Sequence, residues 1–196
     1  NSYDETKRYL DAGAMGVIAP LINSAAAAAE LVRSVKYPPE GERGVGYGRS
    51  HGYGFAFDAY MAKANRETFV CVQIEHIRAV ENIDAILQVP GVDAAFIGPY
   101  DLTASMGITA RFEHQEYKKA VDSILAACQK HKVRPGIHVV QPRPEEVKQR
   151  IAQGFTMIAY SLDITMLGTA CREGLKALRA EVGERTSEAG GRRSEV

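Results

Sequence analysis

Five short apolar runs, each followed by a helix-like stretch, constrain this chain more than any other feature. They are Gly16–Ile22, Phe69–Glu75, Ala94–Ile97, Pro135–Val140 and Thr156–Tyr160. The flanking stretches read as helices. Asp4–Ala12 is closed by Gly13; a second helix is capped at Asn23 or Ser24 and stops at Pro38-Pro39; Ala79–Gln88 is stopped by Pro90-Gly91. Glu113–Lys132 carries Tyr117, Val121, Ile124, Leu125 and Cys128 on one stripe, and a further helix opens at Pro144 and closes at Gly154. The last, Thr165–Val182, is expected to turn Leu167, Ala170, Cys171, Gly174, Leu175 and Leu178 inward. Apolar strands alternating with helices are parallel βα units. The chain begins in a helix with no strand before it. The pattern therefore predicts an α/β fold of (β/α)8 TIM-barrel type, with only the C-terminal five or so units present and an N-terminal truncation. Residues 1–182 form the expected partial barrel domain, and the polar composition of 183–196 predicts a disordered tail.

Charge and cysteine usage narrow the partners. Twenty-four basic and 24 acidic residues cancel, which gives no electrostatic case for nucleic acid or an anionic membrane. No apolar run approaches the roughly 20 residues of a spanning helix, and Asn1–Glu5 does not read as a secretion signal. Cys71, Cys128 and Cys171 are odd in number and widely spaced, so they read as small reduced core residues of a cytoplasmic protein.

Residues 40–57 hold six glycines without a phosphate-loop pattern, and read as a glycine-rich cover over a pocket. The chemistry lies in carboxylates at strand ends. Glu75 closes one run, and Asp101 follows the next just past the Gly98-Pro99 break. In parallel neighbours both stand at the C-terminal face, where barrel sites form. Two hard oxygen donors there suit Mg²⁺ or Mn²⁺ completed by water and substrate oxygens. Gln73, two residues before Glu75, points to the same side one layer deeper. These residues alone leave open that both acids only cap helices or pair with arginines. None of the five histidines is assigned to catalysis: His138 could line the barrel, His76 could orient Glu75, His51 sits in the glycine-rich stretch, and His114 and His131 read as solvated.

Three motifs in order, Tyr37-Pro38-Pro39-Glu40-Gly41-Glu42-Arg43-Gly44-Val45-Gly46, Val72-Gln73-Ile74-Glu75 and Gly98-Pro99-Tyr100-Asp101-Leu102-Thr103-Ala104-Ser105-Met106-Gly107, resemble the HpcH/HpaI aldolase family. These are class II pyruvate aldolases of the phosphoenolpyruvate/pyruvate barrel superfamily, such as 4-hydroxy-2-oxoheptanedioate and 2-dehydro-3-deoxyglucarate aldolases. The resemblance runs from Asn1 to about Leu178. It implies that Glu75 and Asp101 bind a divalent metal (Mg²⁺ or Mn²⁺, with Co²⁺ as a further option). It also implies that Gln73 and the backbone at Tyr100 and Asp101 hold the oxo acid, and that Asp11 supports the general base. Many relatives carry a small residue where Tyr100 stands.

The implied reaction is aldol cleavage or addition of a 4-hydroxy-2-oxo acid, giving pyruvate or a close 2-oxo acid plus an aldehyde through a metal-stabilised enolate. The family's base, a histidine, and a supporting arginine belong to regions before Asn1. The resemblance also implies a homo-oligomer, often with the last helix exchanged between subunits. The alternative reading is an inactive metal- and oxo-acid-binding remnant that assembles with another chain. A CoA-thioester lyase of the citrate lyase β type is disfavoured by the Tyr37–Gly44 pattern.

Overall fold

The structure, a computed structural model, describes residues 2–191. Helix α1 (Tyr3–Asp11) starts on a reciprocal cap, in which Ser2 Oγ accepts the Glu5 N–H while the Glu5 carboxylate accepts from Ser2. Strand β1 (Gly16–Ala19) leads to α2 (Ala25–Val35), capped by Ser24 Oγ on the Ala27 N–H. A 3-10 turn (Arg49–Gly54) and α3 (Phe57–Glu67) precede β2 (Phe69–Ile74). The expected single helix after β2 is two short ones, α4 (Ile77–Glu81) and α5 (Ile83–Leu87). They break at Asn82, whose amide donates to the Asn23 and Arg78 carbonyls. Strand β3 (Ala94–Ile97), α6 (Pro99–Ser105), α7 (Gln115–His131), β4 (Arg134–Val139), α8 (Pro144–Ala152), β5 (Met157–Tyr160) and α9 (Asp163–Gly191) complete the chain.

All five strands are parallel and lie in the order β1-β2-β3-β4-β5. Sequential order without a reversal is the arrangement of a barrel rather than of a doubly wound sheet. One face of the sheet carries Val70, Val72, Ile74, Ala95, Ile97 and Ile137 against α2, α5 and α7. The other carries Cys71, Ala94 and Phe96, with Phe69, Met157 and Ala159 beside them. This second face is the inner one in barrel terms.

Further expectations shift. β1 ends at Ala19 instead of Ile22. α6 begins directly at Pro99, so Asp101 lies in the first turn of a helix and not in a loop. Cys71 and Cys128 are buried, and desolvation pushes both thiols up to about 12, but Cys171 is exposed. The face of α9 expected to turn inward is open in this chain, with Leu167, Leu175 and Leu178 all exposed. α9 also continues past Val182, and 192–196 of the expected tail lie outside the described residues.

Candidate active site

The register of the central strands builds the site. Ile74 pairs with Ile97, so Glu75 and Gly98 follow at one level, and the Gly98 N–H donates to the Ile74 carbonyl at 3.2 Å. Since Ile74 belongs to the core under the helices, strand alternation sends Gln73 and Glu75 to the inner face. Glu75 is 6% exposed. Its Oε1 accepts the Leu21 N–H at 2.9 Å, and its Oε2 accepts from the Gln73 amide. Gly98 is what lets these groups close up: a Cβ there would lie 3.0 Å from Glu75 Cβ and Oε2 and 3.1 Å from Gln73 Nε2.

Leu21 is a partner that the sequence does not announce. It follows β1, is largely solvent-exposed, and has φ 55°, a left-handed conformation that costs a non-glycine residue roughly 1–3 kcal/mol. That conformation turns its N–H onto the carboxylate of the neighbouring strand. No residue type signals it.

Asp101 is exposed in the first turn of α6, and its carboxylate has no hydrogen bond or ion pair among the described residues. The helix under it is fixed from several sides. Thr103 Oγ1 donates to the Pro99 and Tyr100 carbonyls and accepts the Ala110 N–H, while Ser105 Oγ accepts the Ile77 N–H at 2.9 Å. The Tyr100 ring packs edge-on against Phe112 at 5.1 Å. The first N–H groups of a helix lack intrahelical partners, so those of Tyr100 and Asp101 remain available to an acid.

This donor set fits a divalent cation. Glu75 is a buried carboxylate that receives two neutral donors and has no cationic side chain paired with it among the described residues. Burying such a charge is costly unless a positive group completes it. No group of three or more His, Cys, Asp or Glu that could hold a metal ion occurs among the described residues. A sparse oxygen set is characteristic of Mg²⁺-type sites.

Asp11 stands elsewhere. It ends α1 below the start of β1, and Gly16 pairs with Phe69, six residues before Glu75, or roughly 20 Å of strand. Its carboxylate pairs with Lys7 and, at 2.8 Å, with Arg43, whose side chain is fully buried. Burial raises the Asp11 carboxyl, but the hydrogen bonds and charges of Arg43 and Lys7 outweigh it and hold the group below its ordinary range. Arg43 also lies 4.5 Å over the Tyr37 ring and donates to Tyr60. The glycine-rich stretch is thus pinned at the N-terminal end of the sheet. There His51 is buried, its Nε2 2.6 Å from the Gly46 carbonyl and its Nδ1 accepting the Gly54 N–H. A cavity of about 600 Å³ at this end is lined by Met15, Arg49, Tyr60 and Thr68, away from Glu75. The structure therefore brings Gln73, Glu75 and the start of α6 together but leaves Asp11 at the opposite end. His76 and His114 cap α4 and α7, and His131 pairs with Asp84.

Parallel strands in sequential order, with the Glu75 carboxylate at the tip of the second, are the arrangement of a barrel. The family described as HpcH/HpaI aldolase/citrate lyase matches residues 2–170, and the chain belongs to it. A hydroxypyruvate/pyruvate aldolase of Roseobacter denitrificans is 37% identical over 163 residues, covering 82% of this chain and 62% of the relative. A 5-keto-4-deoxy-D-glucarate aldolase of Klebsiella pneumoniae is 34% identical over 168 residues, covering 85% and 64%. The crystal structure of an HpcH/HpaI aldolase from Desulfitobacterium hafniense superimposes with a TM-score of 0.85 at 33% identity, over 91% of this chain and 69% of that one. The chain spans less than two thirds of the length of these two curated relatives. Among the described residues no helix is long and apolar enough to cross a membrane.

Proposed function

We propose that this chain carries the metal- and oxo-acid-binding part of a carbon-carbon lyase that cleaves or forms a 4-hydroxy-2-oxo acid. The observation that carries the reading is Glu75: a buried strand-tip carboxylate, held by Leu21 and Gln73, without a cation of its own and level with the start of the helix that bears Asp101. The relatives' names, which are those of aldolases acting on pyruvate, hydroxypyruvate and deoxy-sugar acids, support the same chemistry.

Glu75 and Asp101 would hold the cation, Mg²⁺ or Mn²⁺ by the hardness of the donors. When bound, it supplies Lewis-acid charge beside the 2-oxo group as the C3–C4 bond breaks. Gln73 spends one amide N–H on Glu75 and keeps its other N–H for an oxygen of the acid. The free N–H groups of Tyr100 and Asp101 receive the substrate carboxylate, a contact through backbone that tolerates the tyrosine side chain. The aldehyde leaves as the other product.

None of the five histidines is assigned to proton transfer at the 4-hydroxyl. Asp11 anchors Arg43 and the glycine-rich stretch, and any base it supports has to approach the N-terminal end of β1. The exposed leucines of α9 support a homo-oligomer. The test is an aldol-cleavage assay of this chain with and without Mg²⁺ or Mn²⁺, alongside metal binding. The reading expects cation-dependent binding of a 2-oxo acid with little turnover. Turnover that resists chelators would contradict it.

A further inference from the structure

We infer that the cleft between α7 and α8 is a second small-molecule site, separate from Glu75, whose ligand is an ω-amino acid: a carboxylate and an ammonium at the two ends of an apolar chain. The cleft follows from how the two helices pack. α7 buries Tyr117, Val121 and Ile124 among others, whereas α8 has no buried residue. Arg150 of α8 bonds to Glu146 at 3.2 Å and to Gln153 at 3.1 Å, partners from its own segment. Among the described residues no hydrogen bond or ion pair joins α8 to α7. The space between them is consequently unfilled, a cavity of about 410 Å³. That volume is within the roughly 300–1,000 Å³ of small-molecule pockets.

Two residues that line this cavity each carry a buried polar atom without a partner among the described residues, the Tyr117 hydroxyl and Arg150 Nε. Tyr117 is only 2% exposed. Burial pushes its phenol up, and the positive charge of Arg150 pulls in the other direction, so the guanidinium lies within electrostatic reach of the ring. Arg150 Nε can only donate, and the Tyr117 O–H can donate beside it. What the pair lacks is an acceptor. A carboxylate supplies two oxygens, and hydrogen bonds to a charged acceptor are the strong ones.

The remaining lining sets what is attached to that carboxylate. Phe112, Val121 and Leu125 are apolar walls. Of the acids around the cleft, Glu113 is paired with Lys118 at 2.7 Å and Glu146 with Arg150. The Asp122 carboxylate, exposed at the rim, has no hydrogen bond or ion pair among the described residues. A simple carboxylate ligand would add a second uncompensated negative charge to the cleft, and a simple amine would leave the two donors unanswered. A molecule with both groups answers both. Asp122 lies five residues after Tyr117 on α7, roughly 7.5 Å along the helix, with Val121 between them. That separation calls for acid and amine at opposite ends of a methylene chain and not on one carbon.

Ligand-detected NMR titration of the full chain tests this with 6-aminohexanoate, hexanoate and hexylamine, using wild type, Tyr117→Phe, Asp122→Asn and Glu75→Gln. Wild type is expected to bind 6-aminohexanoate with a dissociation constant of about 1 mM or lower. Hexanoate should bind about threefold to fivefold more weakly, the range of one exposed ion pair, and hexylamine about tenfold more weakly or worse. Tyr117→Phe should weaken 6-aminohexanoate about tenfold without lowering the melting temperature, since the hydroxyl it removes has no partner within the fold. Asp122→Asn should bring 6-aminohexanoate to the level of hexanoate, and Glu75→Gln should leave its binding unchanged. No saturable binding to wild type, or binding unchanged in Tyr117→Phe, overturns the site. Equal wild-type affinities for hexanoate and 6-aminohexanoate overturn the amine end of the assignment. Loss of binding in Glu75→Gln would put the ligand in the Glu75 site and overturn the separation.

Discussion

The N–H of Leu21 donates to the carboxylate of Glu75 at 2.9 Å, so a left-handed residue after β1 fixes the acid at the tip of β2. Proline at position 21 removes that donor and forces a negative φ, whereas glycine keeps the donor and relieves the conformation. Leu21→Pro is expected to weaken Mn²⁺ binding by tenfold or more, and Leu21→Gly to leave it within about threefold. Isothermal titration of both variants reads the difference; equal affinities in the two would show that the Leu21 N–H does not matter.

Gly98 is defined by space and not by dihedral freedom. A methyl group there meets Glu75 Oε2 at 3.0 Å and Gln73 Nε2 at 3.1 Å, both on side chains locked to each other. Gly98→Ala should lose about 1–3 kcal/mol of stability, the range for overpacking, and should also lose oxo-acid binding. Urea unfolding together with pyruvate titration checks both; full binding with unchanged stability would mean that the pocket yields.

Arg43 is a buried charge completed by Asp11, Tyr37 and Tyr60. Arg43→Ala leaves Asp11 with Lys7 alone and empties the space beneath the glycine-rich stretch, and is expected to cost about 3–5 kcal/mol by chemical unfolding. The Asp11 carboxyl is held low by its partners, so its contribution to stability is fully present above the ordinary aspartate value of about 3.9. It is lost as pH falls below that, through the folded-state value. The stability gap between wild type and Asp11→Asn should therefore narrow as pH falls below about 4. A gap that stays constant from pH 7 to pH 3 would contradict the pairing.

The strands are legible because apolar runs bounded by glycine and proline leave few alternatives, and Glu75 is legible as a strand-end carboxylate because it closes such a run. What escaped was local. Pro20 ends β1 early, since proline has no N–H to give a sheet. Gly98-Pro99 reads as a break, although proline at a first helical position also opens a helix, as it does for α6. Helix α3 was hidden behind the glycines before it. The left-handed Leu21 has no residue signature, and the distance of Asp11 from Glu75 depends on which end of a strand a helix returns to. The face of α9 expected to turn inward is exposed; periodicity does not say whether a partner lies in the same chain.

The central claim is that Glu75 and Asp101 share one divalent cation. Titrating Mn²⁺ into this chain, followed by its electron paramagnetic resonance signal, tests it most directly. The account predicts one site per chain, lost in Glu75→Gln and in Asp101→Asn and tightened by pyruvate. Undiminished Mn²⁺ binding in either variant would contradict it.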